Sequence, residues 1–180
     1  MKTKMSELRK ANTDATYFIT MTVVGWIDVF TRSRYGDVLV DSLNFCSEKK
    51  GLDVFGYVIM PSHIHMIVRH EQGRLNEVIR DFKSFTSKEI IRMIDQEEGE
   101  SRKEWLLHMF RYHAKFQKQN KVYQFWQKTN HPIELTSPEM IDQKMDYIHE
   151  NPVEAGLVVD PTSWNYSSAN ALSPLKVLVT

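Results

Sequence analysis

The sequence predicts an α+β fold of the ferredoxin-like (RRM-like) class, an antiparallel sheet with helices packed on one face and an extra basic helical segment. Three observations carry this. Two strand-like runs, Leu52 to Met60 and His63 to His70, flank a Pro61-Ser62 turn and read as a hairpin. Segments of helical period stand on both sides of that hairpin. A β-branched, aromatic run opens the series, so the order is β-α-β-β-α-(α)-β-α.

Each element has its own signal. Tyr17 to Val24 (YFITMTVV) is β-branched and aromatic, as a strand requires. From Arg34 to Lys50, Val38, Leu39, Leu43, Phe45 and Cys46 recur at helical spacing, and Gly51 stops the helix. Asn76 to about Ile94 is a helix with Val78, Ile79, Phe82, Phe85 and Ile90 on one side, ended by Gly99. Glu104 to Phe116 is the extra helix, rich in aromatics and cations. His131 to Leu135 is a short fourth strand. Ser137 then caps a last helix with Pro138 in its first turn, running to about Glu150.

A chain of 180 residues fits one domain, with a core over about 17–169 and tails at 1–15 and 171–180. No apolar run is long enough to span a bilayer, and the N-terminal stretch lacks a secretory pattern, so a cytoplasmic protein is expected. The single cysteine, Cys46, excludes disulfide frameworks and cysteine zinc sites, and it reads as a small core residue. Formal net charge is zero, with 23 cations and 23 acids. The charges are unevenly placed. Arg102, Lys103, Arg111, Lys115, Lys118, Lys121 and Lys128 face one acid, Glu104, whereas Glu134, Glu139, Asp142, Asp146, Glu150, Glu154 and Asp160 face only Lys144. Such local asymmetry steers a polyanion more than the total does. A solvated basic helix face explains it equally well.

His63 and His65 are the strongest local signal. Residues two apart on a strand share a face, so the pair presents two imidazoles together on a rigid apolar hairpin. Neutral imidazole binds divalent ions, but two ligands need a third. The competing reading is a pair of partly buried histidines satisfied by hydrogen bonds. The second cluster is YIHENP, in which Tyr147 and Asn151 lie one turn apart on a helix. Here the competing reading is a helix break before Pro152, with Asn151 capping a short PVEAGL helix and Glu154 completing the box.

The segments YVIMPSHIHMIV, DFKSFTSKEI, FWQKTNHPIEL, MDYIHENPVEAGLV and WNYSSA run in this order from about Tyr17 to Ala169. Together they resemble the single-tyrosine HUH transposases, and within them the REP-associated tyrosine transposases. The resemblance implies a ferredoxin-like core, a divalent ion (magnesium or manganese), and hairpin or single-stranded DNA as partner. It assigns His63 and His65 to the metal, Tyr147 to the nucleophile and Asn151 to a third metal ligand. Lys83, Ser84 and Thr86 match a segment that faces nucleic acid in the family. Ser62 stands where asparagine is frequent, and the neutral net charge departs from many basic relatives.

The chemistry fits these groups. A phenol, with a pKa of about 10, must lose its proton to attack phosphorus. A divalent cation eases that loss and polarises the scissile phosphate. The expected reaction is cleavage and rejoining through a 5′-phosphotyrosine and a free 3′-hydroxyl, with no nucleotide cofactor. Arg111, Lys115 and Lys118 are further expected phosphate contacts. Phe116, Phe125 and Trp126 read mostly as core, and Trp105 and Trp164 as packing. A monomer is expected over a homodimer. Three other functions compete: a catalytically silent hairpin-binding regulator on the same fold, an RRM-like RNA binder displaying Tyr17, Phe18, Phe55 and Tyr57, and a zinc hydrolase. The last lacks HExxH.

Overall fold

The structure, a computed structural model, describes residues 14–116 and 122–178. Strands β1 (Tyr17–Thr22), β2 (Asp53–Met60), β3 (His63–Arg69) and β4 (Ile133–Glu134) form one sheet in the order β2-β3-β1-β4. Every pairing is antiparallel. The helices are α1 (Ser33–Lys50), α2 (Leu75–Gln96), α3 (Lys103–Ala114) and α4 (Pro138–Glu154). This is the expected ferredoxin-like arrangement.

Register decides which side chains meet, because directly opposed residues share a face. Thr20 faces His65, which faces Val58, and Thr22 faces His63, which faces Met60. These residues lie on one side of the sheet with Phe18 and Ile67. The other side carries Tyr17, Ile19, Met21, Ile64, Met66 and Val68, buried with apolar residues of α1, α2 and α3 in the main core. Helices α1, α2 and α3 lie on this face as expected, whereas α4, expected with them, does not. Helix α4 adds a layer on the opposite face, where Ile148 is fully buried against Phe18, Val58, Met60 and Ile67. Its apolar positions Ile141, Met145 and Ile148 recur at helical spacing and match that second face. Gly56 of β2 lets Met145 lie on the sheet, since a methyl group there would meet the Met145 thioether.

The end of α4 differs from the break considered at Asn151. The helix runs through Pro152 to Glu154. It closes with Gly156 in left-handed geometry (φ +69°). Leu157 N–H donates to Pro152 O at 2.9 Å and Gly156 N–H to Val153 O at 2.9 Å. These are the two bonds of a Schellman end, so the PVEAGL segment terminates a helix and does not start one. Pro152 is buried in the last turn of this helix.

Other elements deviate by a residue or two, and three deviations have clear causes. The fourth strand shrinks to Ile133–Glu134, because His131 has φ +42° and Pro132 offers no donor. Phe85 is 57% exposed, since the buried stripe of α2 steps from Phe82 to Thr86, four residues on. Residues 171–178, read as tail, pack against the sheet: Leu175 is buried, and Leu178 N–H donates to Val54 O at 2.8 Å. That segment continues a run along β2 in which Ile59 N–H donates to Tyr166 O and Ser168 N–H to Tyr57 O. Trp164 packs as expected, donating its indole N–H to Ile59 O at 2.9 Å. Trp105 and Phe116, read as packing or core, are exposed. No helix among the described residues is long and apolar enough to cross a membrane.

Candidate active site

The α4 face of the sheet ends in a cluster of rings. His63 and His65 lie with centroids 4.7 Å apart. Tyr147 reaches them from α4, its ring 5.2 Å from His65 and 5.9 Å from Phe18. Tyr147 is 41% exposed, so its phenol is open to a ligand. On the far side Trp26 meets His63 edge-on at 5.3 Å. Trp26 sits in a short turn, Val24–Trp26, with φ +55°, an uncommon geometry for a bulky residue. The preceding Gly25 also has positive φ, and a side chain there would strike His113.

Hydrogen bonds orient both imidazoles. Nδ1 of His65 lies 2.8 Å from Thr20 Oγ1, and Nδ1 of His63 lies 3.2 Å from Ser62 Oγ. Neither Nε2 has a hydrogen-bond partner among the described residues. With Nδ1–H donated to a hydroxyl, each Nε2 keeps its lone pair for a metal. Burial lowers the His65 pKa to about 3, helped by nearby His63 and Lys144. Burial also lowers that of His63, against the pull of Asp28. Both rings are thus neutral at pH 7, the form that ligates.

Asn151 stands one turn beyond Tyr147 on α4, half-buried, and its amide makes no hydrogen bond to the described residues. Among the described residues no group of three His, Cys, Asp or Glu side chains converges to hold a metal. His149, also on α4, faces elsewhere and bonds Ser168 Oγ at 2.9 Å.

The residues expected to meet nucleic acid divide. Lys83 and Ser84 line a cleft of about 930 Å³ between α2 and residues 122–130, with Arg80, Lys88, Arg92 and Lys128. Asp95 is the acid in its wall. Thr86 is the exception: it is fully buried, donates to Phe82 O at 2.8 Å and accepts from the Trp126 indole N–H at 3.0 Å. It faces the core because it continues the buried stripe of α2. Arg111 is exposed and bonds Tyr123 Oη at 2.8 Å, at the edge of this cleft. Lys115 is exposed, just beyond α3, and Lys118 lies outside the described residues. Phe125 and Trp126 are buried as expected. The cleft is joined to the ring cluster through hydrogen bonds: Lys83 Nζ donates to Asn130 Oδ1 at 2.7 Å, Thr20 N–H donates to Asn130 O at 2.8 Å, and Thr20 holds His65.

Sequence reading missed Trp26, Thr20, Lys144 and the cations Arg80, Lys88 and Arg92. For the last group a signal existed, because residues 80, 84, 87, 88 and 91 trace one face of α2. Lys144 stands three residues before Tyr147, on the same face of α4. Trp26 carried no signal.

Residues 13–119 match the family model described as Transposase IS200 like, more than half of the chain, and the chain belongs to that family. The match takes in His63 and His65 and ends before Tyr147. Among solved structures, a REP-associated tyrosine transposase bound to a REP hairpin is similar in fold, with a TM-score of 0.62 and 17% identity over 94% of this chain and 89% of that one. No curated protein matches the chain in sequence.

Proposed function

We propose that this transposase binds hairpin DNA with a single-stranded flank, cuts the flank with Tyr147 and can rejoin it. One observation carries the reading: the Tyr147 ring lies 5.2 Å from His65 within the same chain, on an exposed face. The site needs no second copy of the chain, which supports a monomer working alone. The hairpin held by the structurally similar transposase supports the choice of substrate.

His63 and His65 would hold a divalent ion through their Nε2 atoms, with the Asn151 amide oxygen as third ligand. Magnesium and manganese suit this neutral donor set, manganese the better with imidazole. Bound there, the ion would polarise the scissile phosphate and neutralise its charge. Tyr147 Oη attacks phosphorus as its proton leaves to water. The bond to O3′ breaks, the electron pair stays on O3′, and that oxygen takes a proton to become a 3′-hydroxyl. The reverse attack by a 3′-hydroxyl restores the strand. Lys83, Ser84 and the cations of their cleft, with Arg111, Lys115 and Lys118 beyond it, would hold phosphates of the bound DNA. The aromatics of β1 and β2 tell against an RRM-like mode, because Tyr17 and Tyr57 are buried in the main core and Phe18 is covered by α4.

The test is a denaturing gel of end-labelled hairpins with randomised single-stranded flanks, with manganese, with magnesium or with chelator. A metal-dependent covalent adduct that disappears in Tyr147→Phe is expected. An adduct persisting in that variant would refute the nucleophile, and retained binding without any adduct would favour a silent regulator.

A further inference from the structure

We propose that Lys144 is a catalytic residue that contacts the scissile phosphate directly, supplying positive charge alongside the metal. The inference rests on Tyr147 as nucleophile and adds a role to a residue outside the assigned set. Its Nζ lies 5.5 Å from the centre of the Tyr147 ring and 5.0 Å from that of Phe18. Lys144 thus stands over the same corner of the sheet as His65.

Charge makes this placement informative. From Glu134 to Asp160 Lys144 is the lone cation among seven acids. None of these acids stands three or four positions from Lys144 on α4, and Lys144 forms no ion pair with any described residue. It lies instead across two aromatic rings, half-buried, with its ammonium left for another anion. An acidic strip would repel DNA, and a single cation at the nucleophile offsets that repulsion where the backbone must approach closest.

Geometry limits what that anion is. Attack requires phosphorus to come within about 3–3.5 Å of Tyr147 Oη. With Nζ already 5.5 Å from the centre of the Tyr147 ring, a change of lysine rotamer suffices to bring the ammonium to a phosphate so placed. As Oη bonds to phosphorus and the bond to O3′ breaks, negative charge builds on the non-bridging oxygens. An ammonium beside them is stabilising there and needs no proton transfer.

The test uses full-length protein and a hairpin chosen from the randomised pool. Adduct formation is timed at saturating DNA, and the dissociation constant for the uncut strand is measured beside it. Lys144→Met keeps the cover over the rings and removes the charge; it should slow the reaction on the order of a hundredfold while binding changes less than about threefold. Lys144→Arg should recover most of the rate. An unchanged rate in Lys144→Met overturns the inference. So does equal slowing in both variants with a lowered unfolding temperature, which marks a packing role. A Tyr147-dependent adduct in the wild type holds the nucleophile reading apart from these outcomes, whereas an adduct persisting in Tyr147→Phe refutes that reading and the inference with it.

Discussion

Thr20 Oγ1 and His65 Nδ1, on neighbouring strands β1 and β3, stand 2.8 Å apart. The contact orients the ring, and with Nδ1–H donated to the hydroxyl Nε2 keeps its lone pair. Removing such an outer partner lowers metal affinity by about 10–100-fold. Thr20→Val, close in shape, should weaken manganese binding by that factor in calorimetry while leaving hairpin affinity unchanged. Unaltered manganese affinity would mean that His65 is positioned by packing alone.

Glu100 gives the fold an acid-sensitive joint. Its buried carboxylate is held by Arg32 at 2.8 Å, Arg102 at 3.0 Å and the Tyr35 hydroxyl at 3.1 Å. Burial would raise its pKa, but the Arg102 hydrogen bonds and charge, with Tyr35, outweigh burial and hold it at about 2. A carboxyl depressed from its usual 4.5 binds protons sooner in the unfolded chain. Its stabilising contribution is therefore whole above pH 4.5 and is lost as pH falls toward 2. Glu100→Gln should cost about 2–4 kcal/mol at pH 7 and flatten the decline of stability between those values. Thermal unfolding across that pH range reads both effects.

Thr86 anchors Trp126 beneath the cleft. Thr86→Val leaves the buried indole N–H without an acceptor, a loss of about 1–3 kcal/mol. Urea unfolding should register it, with DNA affinity per folded molecule intact. A drop in affinity with no loss of stability would instead give Thr86 a direct part in binding.

Arg80 and Lys88 line the cleft about two turns apart on α2. If the cleft tracks a DNA backbone, each alanine variant should weaken binding similarly across sequences and reduce the slope of log affinity against log salt by about one. A fluorescence titration at several salt concentrations measures this. Wild-type slopes would move the DNA path off α2.

Much of this was legible before the structure. Strand alternation put His63 and His65 on one face, and the Ser137-Pro138 start of α4 was written in its capping chemistry. What no local pattern carried was the encounter between them. Tyr147 meets His65 only because α4 packs on the sheet face opposite α1 and α2, and that choice depends on matching apolar stripes far apart in sequence. Thr86 was misplaced for a related reason: a motif likeness assigned it outward, while the i, i+4 step from Phe82 turns it inward. Gly156 was overlooked because the proline beside Asn151 suggested a start where the chain makes an end.

The run along β2 has a bearing on how molecules of this protein meet one another. A bare outer strand is a template on which another chain can add its own backbone. Here the carbonyls of Val54 and Tyr57 and the amides of Tyr57 and Ile59 are already engaged by residues 166–178. Growth of the sheet from one molecule into the next on that side must first peel this strap away. The same residues that complete the core thereby guard a crowded, DNA-bound protein against self-association.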